Sequence, residues 1–285
     1  MIPLPPSISQ LVAESGISKR EAEMILADVL SLSRASIIAH ADRKLEASEH
    51  QQAAAMMARR RAGEPMAYIL GVREFYGREF IVTPDVLIPR PETEVLVEQA
   101  LAWLAAYSAP IIPCVLDLGT GSGAIAISIA TNNPAVRVVA TDISSGALTV
   151  AQQNAERHGV NIRFVESDWF NALPAEKFDL ILSNPPYVAH GDPHLTEGDL
   201  RFEPLQALTD RAVGQRGLAC IRRIIDNAPL HLNDGGWLLF EHGYDQADAC
   251  RQMLTERGFT DLIAIPDLAG ITRVSGGKFA AKHVK

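Results

Sequence analysis

Hydrophobic positions change their spacing twice along this chain of 285 residues. In the first stretch they recur at helical intervals. In SKREAEMILADVL, Ser18 and Glu21 have the spacing of a capping box, where a hydroxyl and a carboxylate satisfy N–H groups left free at a helix start. Ala22, Ile25, Val29 and Leu32 then fall on one face. A second helix is predicted over EASEHQQAAAMMARRRA, stopping at Gly63 and Pro65. Its Arg59-Arg60-Arg61 run reads as a solvated last turn complementing the helix dipole, ahead of a nucleic-acid or partner contact.

Over residues 71–91, GVREFYGREFIVTPDVLIPRP, glycine, proline and alternating aromatic and polar residues predict a hairpin or extended connector. ETEVLVEQALAWLAA is then an amphipathic helix, with Val95, Leu96, Ala100 and Leu104 among its apolar positions. The expected division is a helical domain over 1–72, a connector over 73–91 and a second domain over 92–285. From about residue 112, short apolar runs alternate with helical segments. PCVLDLG, VRVVATD, IRFVES, FDLILSN and GGWLLFEHG read as strands; AIAISIAT, SSGALTVAQQNAERHG and LACIRRIIDNAPLHL read as helices. This alternation predicts an α/β fold, a mostly parallel, doubly wound sheet covered by helices on both faces.

Composition narrows the class. With 47% hydrophobic and 21% charged residues, the chain has the balance of a globular protein. Its net charge of -8 argues against a molecule built to grip nucleic acid, and no basic footprint is visible. Cys114, Cys220 and Cys250 are scattered, which predicts buried free thiols in a reducing cytosol rather than disulfides or zinc. The start MIPLPPSISQ lacks the features of a signal peptide, and no apolar run approaches a membrane span.

Candidate chemistry begins at LDLGTGSGA, which follows a strand and opens a helix. Gly119, Gly121 and Gly123 allow a tight turn and close approach of a ligand, with Thr120 and Ser122 between them. Asp142 closes the next strand, 23 positions after Gly119, where a carboxylate accepts both hydroxyl hydrogens of a ribose. Two ligands fit: a dinucleotide, through Gly119-x-Gly121-x-x-Ala124, and S-adenosylmethionine, whose sites have the form Asp117-x-Gly119-x-Gly121-x-Gly123. After the third strand, Asp168 is a candidate for an adenine amino group. Trp169 is either a lining for the ring or a core anchor.

The fourth strand ends on Asn184-Pro185-Pro186-Tyr187. Neither proline can extend a ladder, so the chain is fixed there. The first and fourth strands are expected to be neighbours, which brings this corner beside the glycine loop. Asn184 offers a carbonyl oxygen and Pro185 a backbone one, two acceptors for a planar –NH₂ group; Tyr187 offers a flat face. Held this way, a poor nitrogen nucleophile can be aimed at the sulfonium of S-adenosylmethionine.

More residues carry a resemblance. FYGREFIVTPDVLIPRPETEVLVE, with Ile88-Pro89-Arg90-Pro91-Glu92-Thr93-Glu94, is similar to the connector and first helix of the release-factor glutamine methyltransferases. So are Asn184-Pro185-Pro186-Tyr187-Val188, Glu203-Pro204 with Ala207-Leu208, Glu241-His242-Gly243 with Gln246, and DLAGITRV. The resemblance spans essentially the whole chain. It implies a class I methyltransferase that uses S-adenosylmethionine to methylate the glutamine amide in the Gly-Gly-Gln loop of class 1 release factors. It implies that the glycine loop, Asp142, Trp169 and Asn184 contact the cofactor, that Asn184 to Tyr187 hold the amide, and that the helical domain helps dock the release factor. A cytoplasmic location follows, with no metal, membrane or stable nucleic-acid partner.

Two departures stand out: family members often have Glu-Ile-Gly where this chain has Glu241-His242-Gly243, and GQRGL replaces a stretch richer in glycine and aspartate. Arg90 and Glu92 either position substrate or form an ion pair. His190 and His194 lie in a polar loop, a candidate lid. The rivals are a nucleic-acid adenine or guanine methyltransferase, a cofactor-sensing binding module and a nicotinamide-dependent oxidoreductase.

Overall fold

The computed structural model describes residues 6–109 and 111–280. It divides into two compact units, one ending at Val72 and the other beginning at Arg73.

The first unit is helical: α1 (Ile8–Glu14), α2 (Lys19–Val29), α3 (Arg34–Ala39), α4 (Ala47–Arg61) and α5 (Met66–Leu70). The Ser18–Glu21 capping box forms as predicted, and Ser7 with Gln10 makes another on α1. Ile25, Leu26, Ile37 and Met57 are fully buried. Burial of each such side chain is worth about 1.5–3 kcal/mol. Leu32 departs from its expected face. The helix ends at Val29, Ser31 takes a left-handed φ of 51°, and Leu32 turns to solvent. The arginine run is more than a solvated turn. Arg59 pairs with Glu64 at 2.5 Å, Arg60 with Glu21 at 2.8 Å, and Arg61 donates to the Ser15 carbonyl. The three guanidinium groups therefore staple the unit's own turns together.

The division falls at the start of a hairpin, β1 (Val72–Phe75) and β2 (Arg78–Ile81), which is followed by α6 (Glu94–Ala106). Then come β3 (Cys114–Leu118), α7 (Ala124–Asn132), β4 (Arg137–Asp142), α8 (Ser145–His158), β5 (Arg163–Glu166), β6 (Phe178–Ser183), α9 (Leu205–Leu208), α10 (Ala219–His231), β7 (Leu232–Glu241), α11 (Ala247–Arg257), β8 (Thr260–Pro266) and β9 (Thr272–Lys278). The sheet order is β5-β4-β3-β6-β7-β9-β8. β3 and β6 are parallel neighbours, Val115 beside Leu180, so the glycine loop and the proline corner leave adjacent strand ends.

Helices α6, α7 and α8 cover one face around Leu96, Ile127 and Ala155. Helices α10 and α11 cover the other around Ile224 and Leu254. Strands buried on both faces are mostly apolar, which is why β3 and β6 read as near-continuous runs interrupted by Asp117 and Asp179. Two further strands, β8 and β9, complete the sheet, with β9 antiparallel to both neighbours. Gly276 and Gly277 lower the strand signal of β9. Gly276 is needed there, because a Cβ would lie 2.2 Å from the Leu238 carbonyl oxygen.

Candidate active site

β3 gives way to a loop in which Gly119, Gly121 and Gly123 all have positive φ, at 72°, 55° and 83°. The Thr120 hydroxyl donates to Asp117 Oδ2 at 2.6 Å, closing the turn. The Gly119 and Thr120 N–H groups both reach the Thr141 carbonyl on β4. Asp142 accepts from the Gly121 and Ser144 N–H groups, each at 2.9 Å, leaving its oxygens further lone pairs. Burial nevertheless raises its pKa above the ordinary carboxylate value. Asn154 of α8 locks the arrangement. Its amide exchanges two bonds with the backbone of Ile81 and donates to the Ser122 carbonyl at 2.9 Å.

These elements wall a cavity of about 360 Å³. The glycine loop lines it through residues 119–122, Asp142 follows from β4, and Asp168 and Trp169 follow from β5. Asn184, Pro186 and Arg90 complete the set of predicted residues on its wall. Trp169 lines the cavity, with Cζ3 3.7 Å from where a Gly119 Cβ would stand, and packs on the second core. Asp168 is held in a bidentate pair by Arg223, at 2.9 and 2.7 Å.

Gly123, Pro185 and Tyr187 do not line the cavity. Gly123 faces the packing of α7 on α8 instead, where a Cβ would meet Ile127 at 2.8 Å and Ala151 at 3.3 Å. Tyr187 is drawn inward. Its hydroxyl donates to Glu241 Oε1 at 2.9 Å. Glu241, only 1% exposed, also accepts from the Thr93 hydroxyl at 2.6 Å, and Thr93 Oγ1 accepts from Asn184 Nδ2 at 3.0 Å. Burial, then the Glu241 carboxylate, pushes the Tyr187 phenol far up, so it stays a donor; burial raises Glu241 as well.

The corner is braced from behind. Gln246 accepts from the Gly243 N–H and donates to the carbonyls of Tyr187 at 3.0 Å and Arg216 at 2.9 Å. Arg90 pairs with Glu203 rather than Glu92, and Glu203 also accepts from the buried Ile88 N–H at 3.0 Å. His242, where family members often carry Ile, has a partner for each ring nitrogen. Its Nδ1 lies 2.8 Å from the Gly243 carbonyl and its Nε2 2.8 Å from the Ser275 hydroxyl, while burial lowers its pKa. His194 pairs with Asp192, at 2.7 Å. Among the described residues, no group of three or more His, Cys, Asp or Glu is placed to hold a metal, and no helix is long and apolar enough to cross a membrane.

The sequence pattern did not reveal Thr93, Glu203 or Asn154 as site residues. Thr93 and Glu203 stand inside the quoted family motifs, but nothing in those motifs names their partners.

Comparison with known proteins agrees with this geometry. The family model described as "PrmC N-terminal domain" matches residues 7–71, and "Methyltransferase small domain" matches 102–198. The release factor glutamine methyltransferase of Bordetella pertussis is 51% identical over 95% of this chain and 98% of its own length. That of Escherichia coli K12 is 43% identical, over 96% of each chain. Among solved structures, a methyltransferase from Pyrococcus furiosus shares the fold at a TM-score of 0.53 and 18% identity, covering 79% of this chain and 98% of that one.

Proposed function

This chain belongs to the release factor glutamine methyltransferases, and from that premise we propose that Asn184-Pro185-Pro186-Tyr187 holds the side-chain amide of a release-factor glutamine for methylation. The protein is an S-adenosylmethionine-dependent methyltransferase. Its donor set suits that cofactor. Gly119 and Gly121, both at positive φ on the cavity wall, leave room against the loop, and Asp142 keeps lone pairs for two hydroxyls. A cavity of about 360 Å³ is of small-molecule size. Its wall carries Asp85, Asp142, Asp168 and Asp210 against Arg90 and Arg211, a balance that favours a ligand bearing a positive charge.

When bound, S-adenosylmethionine supplies a methyl group on a positively charged sulfur. The chain's task is to aim a weak nucleophile at it. An amide nitrogen has a delocalised lone pair. In this reading the Asn184 side-chain oxygen, on the cavity wall, accepts one hydrogen, the carbonyl of Pro185, next in the chain but off that wall, accepts the other, and the two favour a more pyramidal nitrogen. The prolines hold both acceptors without local entropy left to lose. Fixed dipoles and positioning then carry the rate gain. The nitrogen becomes acidic only as the new bond forms, so no strong general base is required beforehand. The observation that most supports this reading is the Asn184–Thr93 bond, which occupies the amide nitrogen and leaves the oxygen free to accept.

At finer grain, the substrate we propose is the Gly-Gly-Gln loop of class 1 release factors, in the cytoplasm, with the helical unit assisting docking. Arg90 contacts substrate while Glu203 fixes it. Asp168 and Trp169 border the adenine, and residues 188–202 form a lid. The nucleic-acid alternative is not favoured, given a net charge of -8 and the relatives' identity. The test is to incubate the protein with labelled S-adenosylmethionine and a release factor, then locate the label by mass spectrometry. Label on the glutamine of that loop is expected. Asn184→Ala is expected to abolish turnover while retaining part of the cofactor affinity. Near-normal turnover in that variant would remove the clamp from the mechanism.

A further inference from the structure

One buried carboxylate stands behind the corner and touches nothing in the cavity. Glu241 ends β7, one strand over from Asn184, in a register that places Ser183 beside Phe240. It is 1% exposed and takes hydroxyl hydrogens from Thr93 and Tyr187, one on each oxygen. We propose that Glu241, acting through Thr93, sets which way round the Asn184 amide stands, and that both are positioning residues for the transfer; this rests on the functional reading above.

The reasoning follows hydrogen-bond polarity. Both Glu241 oxygens accept, Oε2 from the Thr93 hydroxyl and Oε1 from the Tyr187 hydroxyl. The Thr93 hydroxyl has a single hydrogen, and Glu241 takes it at 2.6 Å. Toward Asn184, Thr93 therefore has only lone pairs to offer. The amide must meet it with its NH₂ group, as it does at 3.0 Å. That leaves Oδ1 as the end available to a substrate. The reversed amide would set oxygen against oxygen at Thr93 and present NH₂ to a substrate NH₂, repulsive at both ends. Thr93 is itself immobile. It is 4% exposed, and its N–H is tied to the Arg90 carbonyl at 3.1 Å. The second hydroxyl on Glu241, from Tyr187, anchors the far end of the same four-residue corner. One buried carboxyl group thus fixes both ends of the clamp, which is a reason to keep a costly group in the core.

The test compares the full-length protein with Thr93→Val, Thr93→Ser and Glu241→Gln. Valine keeps the shape and loses the hydroxyl; serine keeps the hydroxyl. Thr93→Val should lower kcat by roughly 10- to 100-fold, with the Kd for S-adenosylmethionine within about threefold by calorimetry. Thr93→Ser should recover most of the loss. Independently of turnover, the side-chain ¹⁵NH₂ signals of Asn184, identified by their absence in Asn184→Ala, should move in both Thr93→Val and Glu241→Gln. Unchanged turnover in Thr93→Val, equal damage in the serine and valine variants, or Asn184 signals indifferent to Glu241→Gln would each overturn the proposal. Failure of the unaltered protein to methylate glutamine would instead overturn the functional reading, and the Asn184 signals would still decide the orientation.

Discussion

Gly217→Ala places a methyl group where there is no room for one. Gly217 has φ +73°, and a Cβ built on it stands 2.0 Å from the Tyr187 carbonyl oxygen and 2.7 Å from the carbonyl carbon. Ordinary contact begins at 3.4 Å, so the two backbones must part by roughly 1.4 Å. Neither can give freely, because the Tyr187 oxygen is held by Gln246 at 3.0 Å, and Gln246 also holds Arg216. A displacement of about 1 Å at a positioned group costs on the order of 100-fold in rate. The left-handed backbone adds about 1 kcal/mol of instability for any residue with a Cβ. Gly214→Ala separates the two effects: it lies in the same loop at φ +76° with nothing within 4 Å. Steady-state methyl transfer and thermal melting on both variants form the assay. Gly214→Ala should lose stability only, while Gly217→Ala should lose kcat as well. A Gly217→Ala enzyme turning over within about threefold of Gly214→Ala would refute the claim that the loop braces the corner.

Asp117 is fully buried, and burial holds its carboxyl at about 7 against the ordinary 3.8, despite the Thr120 bond. It binds its proton more tightly folded than unfolded, so its contribution to stability is complete below pH 3.8 and is lost as pH rises through about 7. At 1.36 kcal/mol per pKa unit the span is roughly 4 kcal/mol. Urea denaturation of Asp117→Asn from pH 4 to 8 should show that slope removed, and an unchanged slope would refute the assignment. Glu203→Ala leaves the buried Ile88 N–H without its acceptor and frees Arg90. The expected cost is about 1–3 kcal/mol for the orphaned donor. Glu203→Gln should recover part of it in the same denaturation assay, since it keeps an acceptor for Ile88.

Some of the site was legible because its physics is local. Three glycines after an apolar run are required by three positive-φ positions within five residues, and no distant contact is needed to see it. The Ser18–Glu21 box and the stop at Gly159, which takes φ 65°, have the same character. The helical face failed at Leu32 because a turn at Ser31 ended the helix first. β9 was obscured by glycines that its central place demands. The residues of the brace behind the clamp stand in quoted motifs, but their pairings were not legible. Thr93 and Glu241 stand 148 positions apart, Ile88 and Glu203 115, and Asn184 and Thr93 91.

The sequence by itself determined the alternation of strands and helices, the glycine loop and the proline corner, because backbone conformation and apolar period are set by residues within a few positions of one another. Only the tertiary structure decided which polar side chains meet. A lone Thr, Glu or Gln carries no mark of its partner until folding removes water and obliges each buried donor to find an acceptor. The roles of Thr93, Glu203 and Glu241 were decided at that step.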